Sequence, residues 1–322
     1  MYTREVAAVN SSGIYVLDKN QICHKVHGGS VVSRLYEIER ILPSRSTVHF
    51  ITPSGEVLVD FKQNLNPGSL ELPFKVKTLV VKDHEIYIDV NGNAYSKGRH
   101  SRGQLGLGHN NAVSKLTKIE NIPTIQAAAI GKEFTLLLST DGDVYFAGYG
   151  GTPTPTKLEN IPKIKMIRAG EYHSLLLDEN GEVWSLGEND NGQLGIGISF
   201  SEQPLKIQDL PSIQSIAAGN EQSFFIDNEF RVWACGKNNY YELGTSNNVE
   251  YHIPTRLDFS EEIEFIVSEN GHTIFVGVNG SAWQCGHYAD FTTPTLIQNL
   301  PKIQSSFVGN KFVKSARNSI LS

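Results

Sequence analysis

Two short stretches carry a spacing that could bind a phosphate. Residues 102–108 read RGQLGLG and residues 191–197 read NGQLGIG, each with G-x-x-G-x-G. A phosphate cradle needs a strand, a glycine-rich turn and a helix N-terminus, so that backbone N–H groups and the helix dipole converge on the anion. Neither stretch is followed by a helical pattern, no Lys-Ser/Thr pair closes either, and the motif recurs 89 residues on, from Gly103 to Gly192. Backbone punctuation without a ligand is the preferred reading.

A second candidate group sits in phrases of the type G-x-x-H-S. His84, His173 and His272 share one position with Phe134, Gln222 and, in a last partial unit, Phe312. Recurrence favours a structural role, the polar members hydrogen-bonding backbone within or between units. Carboxylates gather beside it: Asp83, Glu85, Glu133, Glu171 and Glu221, with Tyr172 just before His173. A solvated acidic rim is the plain interpretation, and a dock for a basic partner is the functional one. Cys23, His24 and His27 lie close enough to suggest a metal, but adjacent strand residues point to opposite faces and no second pair completes a site. No metal or other cofactor is expected. No G-x-S-x-G nucleophile motif occurs, so no covalent catalysis is expected either.

These residues are positioned by a repeat. Tight turns between apolar runs recur at Gly55, Gly92, Gly142, Gly181 and Gly280, with Phe230 at the same place in NEFRVW and Asn20 in a weak first copy. The mean step is roughly 43 residues, the period of a propeller blade. Three residues after the turn stands an aromatic: Tyr95, Tyr145, Trp184, Trp233 or Trp283. Six after it stands Gly98, Gly148, Gly187, Gly236 or Gly286; nineteen before it, Pro73, Pro123, Pro162 or Pro211; eleven before it, Gly131, Gly170 or Gly219. Phrases such as SLLLD and EVWSLG around a short turn read as hairpin strands. The one weak helical candidate, residues 31–42, is better read as strand plus loop. The GQLG module is absent where residues 148–156 and 286–295 stand, so it belongs to a loop or blade edge. A half-unit at 301–313 is expected to close the ring by completing a sheet begun at the other end.

Composition sets outer bounds. The chain has 322 residues, 39% of them hydrophobic, and a net charge of −6 from 28 basic and 34 acidic residues, which argues against a broad nucleic-acid footprint. Three cysteines without a C-x-x-C pair fit a reducing compartment. No apolar run approaches the length of a membrane span and no signal peptide is evident, so no membrane insertion is expected.

The phrases AGEYHSLLLDENGEVWSLGENDNGQLGIG (169–197), KGRHSRGQLGLG (97–108) and AAGNEQSFFIDNEFRVWACG (217–236) resemble the regulator of chromosome condensation (RCC1) repeat family. That resemblance implies an all-β, seven-bladed β-propeller. The expected organisation is one propeller over 1–322, degenerate over 1–78, clear over 79–286 and partial over 287–322. The family's founding member exchanges nucleotide on the small GTPase Ran and binds chromatin. In such exchange factors an acidic residue directly before the repeat histidine matters, and so does a histidine of another repeat. Asp83-His84 and Glu171-Tyr172-His173 match those positions. The family's wedge hairpin and basic N-terminal tail have no recognisable counterpart here. Two readings stay open. One is a non-catalytic adaptor or regulator docking a protein partner, a Ran-like small GTPase included, on one face through Asp83, His84, Glu85, Glu133, Glu171, Tyr172, His173, Glu221 and His272. The other is an exchange factor for such a GTPase. Either would act as a monomer, in the cytoplasm, the nucleus or a host cell that receives it.

Overall fold

The computed structural model describes residues 7–298 except 11–12, 18–21, 28–29, 36–37, 44–47, 61–66, 100, 150–151, 198, 270 and 287–290. Four-stranded antiparallel sheets follow one another, each built from consecutive strands. The N-terminal sheet contains β1 (Ala7–Asn10), β2 (Gly13–Leu17), β3 (Cys23–His27) and β4 (Ser30–Leu35). Blade 1 contains β5 (Arg40–Pro43), β6 (Val48–Ile51), β7 (Val57–Asp60) and β8 (Gly68–Leu70). Blade 2 contains β9 (Val76–Val81), β10 (His84–Asp89), β11 (Ala94–Gly98) and β12 (Val113–Lys118). Blade 3 contains β13 (Ile125–Ile130), β14 (Phe134–Ser139), β15 (Val144–Gly148) and β16 (Thr152–Lys157). Blade 4 contains β17 (Ile164–Ala169), β18 (His173–Asp178), β19 (Val183–Glu188) and β20 (Phe200–Lys206). Blade 5 contains β21 (Ile213–Ala218), β22 (Gln222–Asp227), β23 (Val232–Gly236) and β24 (Tyr251–Arg256). Blade 6 contains β25 (Ile263–Glu269), β26 (His272–Gly277), β27 (Ala282–Gly286) and β28 (Phe291–Leu296).

The core lies between blades, because each sheet is apolar on both faces. Strands β14, β18, β22 and β26 (FTLLLS, HSLLLD, QSFFID, HTIFVG) are buried at every position. One apolar cluster joins blades 1 and 2 around Leu79 and Tyr87, and the next joins blades 2 and 3 around Ile86 and Leu137. Blades 3 and 4 share Leu136 and Leu176, blades 4 and 5 share Leu175 and Phe225, and blades 5 and 6 share Phe224 and Phe275. Burying each such side chain is worth about 1.5–3 kcal/mol. The first strands of the blades sit side by side as the innermost layer, whereas outer strands such as β12 and β16 are largely exposed.

The turn position is glycine for two reasons that act together. Gly92, Gly142 and Gly181 have φ between +81° and +84°, and a Cβ on any of them would meet the first residues of the next blade's inner strand. Their carbonyls accept N–H from Ile125, Ile164 and Ile213 at 2.8–2.9 Å, which stitches each hairpin to its neighbour. The carboxylates of Asp89, Asp178 and Asp227 accept backbone N–H groups inside the same turns. Asn121, Asn160 and Asp209, two residues before the repeat prolines, also have positive φ. Asn and Asp tolerate that region better than other side chains.

The expectation of seven blades built from one repeat is corrected. The propeller has six four-stranded blades that carry the repeat hairpin and share described apolar cores. The N-terminal sheet differs from them in sequence: its second hairpin has no glycine, and of its side chains Cys23 alone is described. Its strand β1 lies beside β5 and β25. Closure by strand exchange is also not what the described residues do, since every sheet is complete from consecutive strands. The half-unit at 301–313, with Phe312, lies outside the described residues. Residues 31–42 contain β4 and the start of β5, not a helix.

Candidate partner-binding face

The GQLG stretches connect the third and fourth strands of blades 2 and 4, on the same face of the disc as the loops joining first and second strands. Several of their amides are already committed, and Gly108 N–H donates to Pro153 O of the following blade at 2.8 Å. Gly106 N–H donates to Gly103 O at 3.0 Å, Gly195 N–H to Gly192 O at 2.9 Å and Leu194 N–H to Asn189 Oδ1 at 2.6 Å. No phosphate cradle remains. The outward side packs on the following blade instead: a Cβ on Gly103 would lie 2.7 Å from Pro153 Cα, and one on Gly192 2.5 Å from His252 Cα. Gly106, Gly195 and Gly244 approach Pro155, Pro254 and Pro294 in the same way. The decayed copy YYELG (240–244) therefore keeps the function of the full motif.

Two of the repeat histidines, His84 and His173, belong to this latch. His84 Nε2 lies 2.8 Å from Thr135 Oγ1 in the next blade, and that hydroxyl donates to Gln104 O at 2.7 Å. His173 Nε2 lies 2.9 Å from Ser223 Oγ, which donates to Gln193 O at 2.6 Å. Each hydroxyl has one proton and has committed it to a carbonyl, so each imidazole must donate from Nε2. A side-chain hydroxyl across the blade boundary is thus one partner of each ring, and backbone groups of Asn220 and Gln222 also interact with His173. Thr273 makes the same bond to Glu242 O at 2.7 Å. Blade 3, which lacks the module, has Phe134 in place of the histidine, stacked on Phe146 with centroids 5.5 Å apart. Gly170 and Gly131 are glycine because the His173 and Phe134 rings fold back over them; a Cβ would come within 2.2 Å of either ring.

Of the residues singled out from sequence, His84, His173 and His272 are buried between blades, away from any approaching partner. Burial lowers the imidazole pKa of His173 to about 3 and that of His272 to about 4, with Lys82 adding to the effect at His173. The other six residues do gather toward one face. Glu85 pairs with Lys97 at 3.2 Å and accepts the Tyr87 hydroxyl. Glu133 pairs with Arg102 at 3.6 Å, Glu171 with Lys132 at 2.8 Å and Glu221 with Lys237 at 2.5 Å. Asp83 is half-buried in the loop between β9 and β10. Lys132 also lies over the Tyr172 ring, 5.0 Å from its centroid, and its pKa is raised by the Glu171 carboxylate. Successive loops are tied by backbone, Lys132 N–H to Glu171 O and Glu171 N–H to Asn220 O, both 2.8 Å. The face is therefore a rigid, largely charge-balanced surface.

Sequence reading missed Tyr149, Glu188, Asp190 and Phe200, which adjoin this face. Tyr149 hydroxyl donates to Glu188 Oε1 at 3.4 Å, and its ring lies 6.3 Å from Tyr172. The available signal was the missing module at 148–156. Among the described residues no group of three His, Cys, Asp or Glu could hold a metal. Cys23 is buried, and the side chains of His24 and His27 lie outside the described residues. No helix of the described residues is long and apolar enough to cross a membrane.

Sheets radiating from a shared inner layer, latched blade to blade by a glycine module, define a β-propeller. Models of the regulator of chromosome condensation (RCC1) repeat match residues 91–138, 180–226 and 231–276, and a second model of that repeat matches 164–193. The chain carries RCC1 repeats over those residues. It is 41% identical over 68 residues to the Regulator of chromosome condensation of Xenopus laevis, a match covering 21% of this chain and 16% of that protein. Similar solved structures include human WBSCR16, with a TM-score of 0.72 at 17% identity over 86% of this chain and 88% of that one. Prp20p of Saccharomyces cerevisiae has a TM-score of 0.71 at 20% identity over 81% and 77%. The CRINKLY WD40 ectodomain of ACR4 from Arabidopsis thaliana has 0.59 at 12% identity over 92% and 98%. At these identities the likeness concerns the fold.

Proposed function

We propose that this propeller is a non-catalytic protein-binding module that docks a protein partner on the face carrying Asp83, Glu133, Glu171, Tyr172 and Glu221. The observation that carries the reading is the backbone-tied series of loops from Lys132 to Asn220, which presents carboxylates and tyrosines on a rigid disc. Such a surface selects partners by charge pattern without paying for ordering on binding. A small GTPase is the partner class the relatives suggest, because the Prp20p structure is described together with binding to Gsp1p and histones. A reducing cytoplasmic or nuclear setting goes with three free, buried cysteines.

The test is to measure binding of a panel of purified small GTPases, Ran included, and release of labelled GDP from each. Binding without faster release supports the adaptor reading. Faster release makes the protein an exchange factor, and Glu171→Gln and Tyr172→Ala should then blunt it. No binding to any member of the panel overturns the GTPase as partner.

A further inference from the structure

Blade 3 differs from blades 2, 4 and 5 on the partner face, because residues 149–151 stand where the others carry the module. The rim between the modules of blades 2 and 4 therefore carries no GQLG turn of blade 3. Side chains along it form one connected group. Tyr149 is 39% exposed and touches both Glu188 and Tyr172. Phe200 is 41% exposed and is the strand partner of Glu188. Asp190 is exposed two residues beyond.

Charge is not balanced here as it is elsewhere on the face. Glu133, Glu171 and Glu221 each have a cation within ion-pair distance, whereas among the described residues Glu188 and Asp190 have none. The Glu188 carboxyl is held above its ordinary range by burial first and by Asp190 second, with Glu221 and Glu171 adding to it. A cation entering this notch would relieve that repulsion.

We infer that the notch docks an arginine-bearing basic segment of a protein partner. The inference rests on the protein-binding reading above and narrows it to a place and a chemistry. A guanidinium can hydrogen-bond the Glu188 and Asp190 carboxylates while its plane lies on an exposed aromatic ring, Tyr149 or Phe200. A lysine ammonium supplies the charge without the planar fork.

The probe is a fluorescently labelled hexa-arginine peptide, titrated with the full chain and followed by anisotropy. Tyr149→Ala and Glu188→Gln should each weaken binding about 5-fold, the equivalent of about 1 kcal/mol. Glu159→Gln and Glu179→Gln, carboxylates at the opposite face, should change it less than about 2-fold. Equal losses from both pairs, or none from the notch pair, overturn the inference. Hexa-lysine binding as tightly as hexa-arginine overturns the arginine assignment. Tyr149→Phe keeps the ring and guards against a misfolded alanine variant; it should retain most of the affinity. GTPase binding that survives while the peptide shows no notch dependence removes the inference and leaves the function. Notch-dependent peptide binding with no GTPase bound does the reverse.

Discussion

His173 is held neutral by its surroundings. Its ring is buried, its Nε2 proton is given to Ser223, and its pKa is about 3 against 6.5 for an exposed imidazole. His49 and His272 are likewise lowered to about 4 by burial. Between those values and 6.5 the unfolded chain binds protons that the native chain does not, so stability falls as pH drops through that window. Above about pH 7 the contribution is complete and flat. Each such histidine should cost about 2 kcal/mol at pH 5 relative to pH 7.5. Denaturant midpoints at the two values measure the sum, and His173→Gln, the residue blade 5 uses as Gln222, should reduce the acid loss by one histidine's share. Unchanged acid sensitivity in that variant would show that His173 is not the proton acceptor. Ser223→Ala removes the hydroxyl that joins His173 to Gln193 O and should cost about 1–3 kcal/mol at neutral pH, because two buried polar groups lose their partner.

At the scale of elements, the glycine module is a latch whose glycines have different duties. Gly192 and Gly197 both have positive φ, +85° and +73°, but only Gly192 abuts the next blade; nothing lies within 4 Å of a Cβ on Gly197. Gly197→Ala should therefore cost only the left-handed strain, about 1–2 kcal/mol. Gly192→Ala adds a backbone clash with His252 and should cost about 1–3 kcal/mol more. Urea unfolding of the pair separates the two contributions, and equal losses would mean that the module does not hold the blades together. At the hairpins, Phe230 occupies the left-handed position at φ +61° that glycine fills in other blades. Phe230→Gly should relieve that strain, raising the midpoint unless the half-buried ring contributes more than about 1 kcal/mol of packing.

The whole molecule is a stack of blades, and its partner face is a product of that stacking. Carboxylates spaced by one repeat in the chain meet on one side because every blade presents the same loop in the same direction. The proposed docking place lies where one blade dispenses with its module while its neighbours keep theirs. Filling it should abolish specific docking, so a blade 3 carrying a full GQLG module should lose arginine-peptide binding while keeping the propeller's circular dichroism. Retained binding would move the site elsewhere on the face.

Much of this was legible from spacing alone. Turn glycines, repeat prolines and the aromatic positions Trp184, Trp233 and Trp283 are local signals, set by backbone conformation and by alternation along a strand. They revealed strands, blade period and the deletable module. The role of the repeat histidines was only half legible, since recurrence pointed to structure but the hydroxyl partner lies some 50 residues away, from His84 to Thr135 and from His173 to Ser223. Blade count was overread at the N-terminus, where a faint turn stood in for a repeat. Pairing across blades and the exposure of Tyr149, Glu188 and Phe200 belong to tertiary structure, because they depend on which blade sits next to which and on what its loop leaves uncovered. The sequence by itself determined the repeat, since repeat conformations are local; the fold alone decided which side chains are buried in the latch and which are free to meet a partner.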